Sequence, residues 1–272
     1  MATVYHLQHG AIELDDHAAR NAAFELHHCF TELGGNFDSE RIAEHFNGLC
    51  RIPASSDYAF AYDRWRRALA TMGATCFEAT VDIRLLIGLS QPSLWETNLY
   101  LNPVYGTPWI PGSSTKGSLR HYIERYLIAD PADAEALKQG YLSAQAFQHL
   151  FGAAAGEGAG AGLVVLHDAW WVPASAPPAL GLRHRGPDYP LVREVTTPHH
   201  PEFLDTQGCA EATPFDSPRP VPQLAAHGKF LVAVAPRLKA YRAWAPYAAE
   251  YLKLALRFEG VGARTPEYGQ LR

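Results

Sequence analysis

The stretch that most limits how this chain can fold is residues 75–89, TCFEATVDIRLLIGL. Phe77, Ala79, Val81, Ile83 and Leu85 alternate there with Glu78, Thr80, Asp82 and Arg84. Successive side chains of a strand point to opposite faces, so this period describes a strand with one face buried. Such a strand needs sheet neighbours and a second layer over its apolar face. LVVLHDAWWV at 163–172 and KFLVAVA at 229–235 are two further strong strands, and residues 191–197 are a short candidate. Residues 113–128 carry a helical stripe of Leu119, Tyr122, Ile123, Tyr126 and Leu127. The last helix has Pro246 near its start, a face of Trp244, Tyr247, Ala248, Tyr251, Leu252 and Ala255, and Gly260 at its end. From residue 75 the order is strand, helix, strand, long insertion, strand, helix, glycine-rich loop and a short last segment. That order predicts an α+β fold with a ferredoxin-like (RRM-like) βαββαβ core at 75–272 and an insertion at about 173–227.

Ahead of the core, helices are predicted at 15–33, capped by Asp15 or Asp16 and ended by Gly34 and Gly35, at 39–47, and at 56–72. Residues 1–74 are therefore expected to be a helical region packed on the core or on a partner. Two short helices are expected at 131–139 and 144–151. GAAAGEGAGAG at 152–162 has nothing to bury and reads as a flexible surface loop.

The chemistry-bearing run is YGTPWIPGSSTKGSLR, residues 105–120. Prolines 108 and 111 precede a glycine, two serines and a helix start, with Lys116 in the first turn and Arg120 one turn on. A cation is misplaced beside the positive end of a helix unless an anion joins it. Free backbone N–H groups, Ser113, Ser114, Lys116 and Arg120 would suit a phosphate. An ordinary serine-capped helix start is the bland alternative. The lysine precedes Gly117 rather than following it, so the spacing of a nucleotide-binding P-loop is absent. GVGART at 260–265 follows a helix and lacks the third glycine of a dinucleotide fingerprint. It reads as a helix C-cap or as a loop whose backbone can approach a sugar–phosphate chain.

Thirteen histidines form no metal-ligand spacing, and the adjacent pairs His27-His28 and His199-His200 cannot both face one site in regular structure. Cys29, Cys50, Cys76 and Cys209 contain no C-x-x-C and read as reduced thiols. No cofactor is expected. No signal peptide or membrane-length apolar run is seen, so a cytoplasmic protein with no membrane partner is expected. A formal charge of −5 is unusual for a solitary nucleic-acid binder and fits a local patch with partners supplying the rest of the field.

WETNLYLNPVYGTPWIPGSSTKGSLR, residues 95–120, resembles the signature loop and helix start of the RAMP superfamily, the RNA-binding subunits of CRISPR effector complexes. GVGARTPEYG at 260–269 resembles that superfamily's C-terminal glycine-rich loop. LFG at 150–152, leading to LVVLHDAWW, resembles its second core strand. REVTTPHHPEF at 193–203, followed by a proline-rich stretch and KFLVAVA, is similar to the T-P-H-aromatic element of the sixth-Cmr-subunit family of type III-B systems. The resemblance covers about 75–272. It implies a RAMP core in a backbone subunit of the Cmr ribonucleoprotein, near the 3′ side of the guide RNA, beside the repeated slicing subunit and the other head subunit. Target RNA would be met through the guide. It further implies that Gly112, Ser113, Ser114 and Lys116 hold guide phosphates, with Arg120 beside them, and that Gly260, Gly262, Arg264 and Thr265 line the same groove. A thumb-like hairpin carrying His199 and His200 would meet the guide–target duplex. Slicing subunits carry an aspartate between the first strand and this helix, whereas residues 90–111 have none. Glu96 is the only carboxylate there, and Asn102 stands near the expected place. Metal-assisted cleavage needs an acidic group, so a binding rather than cutting subunit is predicted. Thr115 replaces an apolar residue of the pattern, and Glu267 would repel phosphate at the loop's end. The alternative is a RAMP-type endoribonuclease processing repeat RNA, with His121, His199 or His200 as general acid or base.

Overall fold

The computed structural model describes residues 3–7, 10–14, 20–29, 39–91, 93, 95, 97–130, 132–153, 160–177, 186–197, 213, 220–263 and 268–272. In chain order the elements begin with β1 (Thr3–Leu7), β2 (Gly10–Leu14), α1 (Ala22–His28), α2 (Ser39–Leu49), α3 (Ser56–Thr71), β3 (Thr75–Thr80) and β4 (Trp109–Ile110). They continue with α4 (Gly112–Tyr126), α5 (Ala134–Lys138), α6 (Ala144–Phe151), β5 (Gly152–Ala153), β6 (Gly160–Ala161), β7 (Val164–Leu166) and β8 (Ala169–Trp171). The last are β9 (Leu191–Thr196), β10 (Val221–Ala226), β11 (Lys229–Pro236) and α7 (Trp244–Phe258).

The central sheet is antiparallel, in the order β3-β11-β8-β4, with β7 also on β11. The C-terminal segment joins it beyond β3, where Leu271 bridges Val81 and Thr80 exchanges backbone bonds with Arg272. α4 and α7 pack on one face. Leu119, Ile123, Ala248 and Leu252 meet Phe230, Val232 and Val234 of β11 in the main core. The opposite face of β11 is not open. Tyr62 and Leu69 of α3 cover Leu231 and Ala233, while Tyr58 and Trp65 stack on Trp170. Burial on both faces explains why KFLVAVA is apolar throughout instead of alternating.

The N-terminal region and the insertion pack on each other. Ile42, Phe46 and Leu49 of α2 lie against the β9–β10 hairpin, whose Leu191 and Leu224 are buried. The hairpin is tied to the strand region by paired bonds between Leu85 and Ala226, both 2.9 Å. β10 was not expected from VPQLAA, because Pro222 argues against a central strand. It is accommodated because Pro222 stands opposite Val195 of β9 and has no second strand beside it among the described residues.

Several expectations change. Residues 3–7 and 10–14 pair as β1 and β2, two strands that the helical reading of residues 1–74 did not contain. Each arm is only five residues, too short for its period to stand out. The helix predicted from residue 15 is seen at 22–28, with Asn21 capping Ala23 and Phe24; residues 15–19 and 30–38 lie outside the described residues. The 75–89 strand keeps its β11 ladder only to Thr80, then bends and bridges in turn to Leu271, Tyr268 and Ala226. The ends of the Ala/Gly run pair as β5 and β6, leaving 154–159 outside the described residues. The 163–172 strand is two strands broken at His167-Asp168. Between the pairs Leu166↔Val234 and Trp170↔Leu231, three residues on one side face two on the other, which is a β-bulge.

Candidate nucleic-acid interface

α4 begins where β4 ends, so Pro111 delivers the chain from the sheet edge straight into a helix. The helix has no side-chain cap at Pro111. The Gly112 N–H instead donates to Asp168 Oδ1 at 2.8 Å. The β-bulge makes this possible by re-aiming residues 167 and 168. His167 meets Trp65 on the α3 side, edge to face, while Asp168 turns to α4. A carboxylate at a helix N-terminus is favourable, so the chain supplies one anion of its own. Sequence reasoning placed a phosphate here and missed Asp168, because nothing in LVVLHDAWWV reveals the extra residue.

Beside this turn opens a cleft of about 550 Å³. One wall is α4, through Ser114, Gly117, Ser118 and His121. A second is the glycine-rich loop at 260–263, and a third is residues 86–90. The first two walls are joined directly, Ser118 Oγ donating to the Gly260 carbonyl at 2.8 Å. The loop is also stitched to the strand region by Ala263 N–H to Leu86 O, 2.8 Å, and Gly269 N–H to Arg84 O, 3.0 Å.

The expected site residues fall into three groups. Gly112, Ser113 and Ser114 lie in the first turn of α4, and Gly260 and Gly262 on the facing loop, so the two runs do meet at one cleft. All three of these glycines also have internal duties: a Cβ on Gly260 would lie 2.6 Å from Gly269 O, with φ +70°. A Cβ on Gly112 would lie 2.2 Å from Leu166 O, and one on Gly262 the same distance from Leu86 O, with φ +76° at Gly262. Lys116 and Arg120 turn aside. Lys116 Nζ donates to Phe151 O at 2.9 Å, at the C-terminus of α6, and Arg120 sits over the Phe147 ring at 5.5 Å. Arg264, Thr265, His199 and His200 lie outside the described residues.

Sequence reasoning did not single out Gly117, Ser118 or residues 86–90 for the cleft. Gly117 is exposed, and a Cβ there would meet nothing within 4 Å. The His121 Nε2 is 3.8 Å from Glu259, which also has Arg125 at 3.9 Å. Asn102 caps its own turn, its side-chain oxygen accepting from Val104 and Tyr105 N–H at 2.9 and 3.1 Å. No helix among the described residues is long and apolar enough to cross a membrane.

Comparison with known proteins matches the same regions. The RAMP superfamily profile matches residues 85–269. The CRISPR system Cmr subunit Cmr6 of Pyrococcus furiosus is 34% identical over 73 residues, which are 27% of this chain and only 21% of that relative's length. A chain in the cryo-EM structure of the type III-B Cmr-beta bound to cognate target RNA aligns with TM-score 0.55 at 22% identity, covering 88% of this chain and 76% of that one. The crystal structure of Cmr6 from Pyrococcus furiosus aligns with TM-score 0.36 at 25% identity, covering 73% of this chain and 97% of that one. With more than half of its length matched by the superfamily profile, the chain belongs to the RAMP superfamily.

Proposed function

We propose that this chain is a non-catalytic, RNA-binding backbone subunit of a type III-B CRISPR (Cmr) ribonucleoprotein, holding the 3′ side of the guide RNA in the cleft between α4 and the 260–263 loop. The observation that carries this reading is the cleft itself. It unites the two glycine-bearing runs, 142 residues apart in sequence at the Ser118–Gly260 bond. A helix start, hydroxyls and close-lying backbone suit phosphate, and contacts of that kind are largely independent of base sequence. The similarity to Cmr6 over 73 residues points to the same class of complex. The sheet order, with the C-terminal segment beside β3 and then β11 and β8, supports a ferredoxin-like βαββαβ core.

On this reading the partners are the guide RNA, the target RNA through the guide, the repeated slicing subunit and the other head subunit, all in the cytoplasm. Lys116 acts mainly on the protein, through the Phe151 carbonyl, so backbone and serine donors carry the phosphate contact. Arg264 and Thr265, which lie outside the described residues, are assigned to the same RNA contact. The 173–227 insertion, with His199 and His200, serves as the thumb toward the duplex, and residues 1–74 brace the core and the insertion. The test is photocrosslinking of 4-thiouridine-labelled guide RNA in the assembled complex. Crosslinks are expected on residues 86–90, 112–121 and 260–263; crosslinks confined to neighbouring subunits would refute the reading.

One observation favours a second reading. His121 lines the cleft, and Glu259, which Arg125 also approaches, lies 3.8 Å from its Nε2, close enough to orient the ring as a candidate acid or base but longer than a hydrogen bond. Incubating the purified chain with repeat RNA in EDTA separates the two. Specific cleavage abolished by His121→Ala would make the chain an endoribonuclease.

A further inference from the structure

The walls of the cleft are not those of a simple phosphate groove. Lys116 and Arg120, the two cations expected there, turn aside to Phe151 O and the Phe147 ring. No Lys, Arg, Asp or Glu stands among the described residues that line it. The lining instead combines the hydroxyls of Ser90 and Ser114 with apolar and aromatic groups, chiefly Leu89 and Tyr100. Leu89 is 41% exposed. A phosphate chain draws its affinity mainly from Lys and Arg. Uncharged walls with an aromatic ring and a few polar groups suit a flat, weakly polar ligand.

Tyr100 is built into this site. Its N–H donates to Ile87 O at 3.1 Å, and its C=O accepts from the Trp109 N–H at 3.2 Å. It therefore lies between the 86–90 wall and β4, which leads straight into α4. The half-buried side chain packs against the main core. Its ring lies 5.4 Å from that of Trp109, tilted by 45°. Its hydroxyl accepts from Gln91 Nε2 at 3.2 Å. Gly88 presses close on the ring: a Cβ there would lie 3.2 Å from Cγ and 3.3 Å from Cδ2 of Tyr100. Gly88 also has φ +92°, so the wall needs glycine for both its bend and its approach. A ring fixed in this way loses little freedom when a ligand arrives.

We infer that the cleft takes a nucleobase as well as a phosphate, and that Tyr100 is the residue on which the base stacks. The inference rests on the guide-RNA reading above and adds which part of the nucleotide meets which wall. The phosphate lies at the first turn of α4, and the base lies on Tyr100 with Leu89 beside it. Trp109, three residues before Gly112, joins the two contacts through its own contact with Tyr100. Every base has a π-face, so stacking on one tyrosine keeps the contact tolerant of sequence. Neutral contacts of this kind add affinity without adding to its dependence on salt.

The first test is photocrosslinking of the assembled complex with 5-iodouridine in the guide RNA, a probe that couples to a stacked aromatic ring. A crosslink on Tyr100 is expected. Crosslinks on 112–121 or 260–263 without one on Tyr100 would overturn the inference and leave the guide-RNA reading standing. No crosslink anywhere on this chain would overturn both. The second test is filter binding of single-stranded guide RNA to the full chain over a series of salt concentrations. Tyr100→Leu should weaken binding by about tenfold, with the slope of log affinity against log salt unchanged. Tyr100→Phe keeps the ring, gives up only the Gln91 bond and should bind like the parent. A slope reduced by about one would make Tyr100 a phosphate contact and overturn the inference. Equal binding by Tyr100→Leu would do the same. A thermal melt checks that each variant is folded, and the crosslink on the unaltered chain decides the matter if Tyr100→Leu is not.

Discussion

The two halves of residues 95–120 form one continuous run and do opposite work. The first half is an anchor. Trp95 is buried, its Nε1 donates to Leu26 O at 2.8 Å, and its ring stacks on His45 at 4.4 Å. Leu99 and Leu101 are buried, and Asn102 closes a turn. The second half is a surface. Ser113 and Gly117 are exposed, and Ser114 and Gly117 line the cleft. The difference teaches that the anchor binds the core to α1 and α2, while the surface half is held in place by backbone contacts and leaves its outer face open, the face assigned above to RNA. Substitutions in the first half should therefore change stability and carry RNA binding with it. Substitutions at open positions of the second half should change RNA binding alone.

The largest effect is expected at Trp95. Trp95→Ala removes a buried ring and leaves a cavity, at about 3–5 kcal/mol. The urea midpoint should fall accordingly, and RNA retention should fail only together with folding. A variant that kept its midpoint but lost RNA would place Trp95 at the ligand and break the comparison.

His45 gives a pH signature of the same anchor. Burial, helped by the Arg20 charge, lowers its pKa from 6.5 to about 4. The unfolded chain therefore takes up this proton before the folded one. The contribution is intact above about pH 6.5, declines as the pH falls, and levels off below about 4. The total loss is about 3 kcal/mol. His45→Phe keeps an aromatic ring against Trp95 and removes the titration, so its stability should fall less between pH 7 and pH 4.5 than that of the parent. Equal slopes in urea unfolding would mean that His45 is not protected from protonation.

The strong periodic elements were legible because each is set by its own residues: the β11 run, α3, and α4 with its apolar stripe. What was not legible depends on partners distant in sequence. The alternation at 75–89 gives a face but not where the chain leaves β11, which follows from the C-terminal segment and Ala226 competing for it. Gly262 read as ligand-facing because glycine permits close approach, and Gly112 because of the family resemblance; the structure adds the backbones of Leu86 and Leu166 as what they approach. Lys116 read as a phosphate contact because of its place in the first turn; its reach to Phe151 O depends on α6, 35 residues away.

Gly117 isolates the surface half. Gly117→Glu puts a carboxylate into open space at the cleft. It also replaces a poor helix former, so stability should hold or rise slightly. Repulsion of phosphate by one nearby charge amounts to about 1 kcal/mol in a solvated site, or roughly a fivefold to tenfold loss of RNA retention. Filter binding at fixed salt and a thermal melt together check it. Retention equal to the parent's would remove the cleft from the interface.

Asp168 should give the smallest effect and the finest distinction, because it joins the sheet to the surface half. Asp168→Ala deletes the acceptor of the Gly112 N–H, and loss of a helix-terminus acceptor costs about 1 kcal/mol. The same change frees an amide and removes a negative charge from the positive end of α4. If phosphate is held at this turn, RNA retention should stay level or rise, by at most about threefold, while the melting temperature drops. Asp168→Asn should keep more of the stability and show the same sign for RNA, since it removes the charge but can still accept. Opposite signs for stability and binding at one residue would show that Asp168 and the RNA phosphate compete for the same helix terminus. A parallel loss of both would mean that the carboxylate only builds the turn.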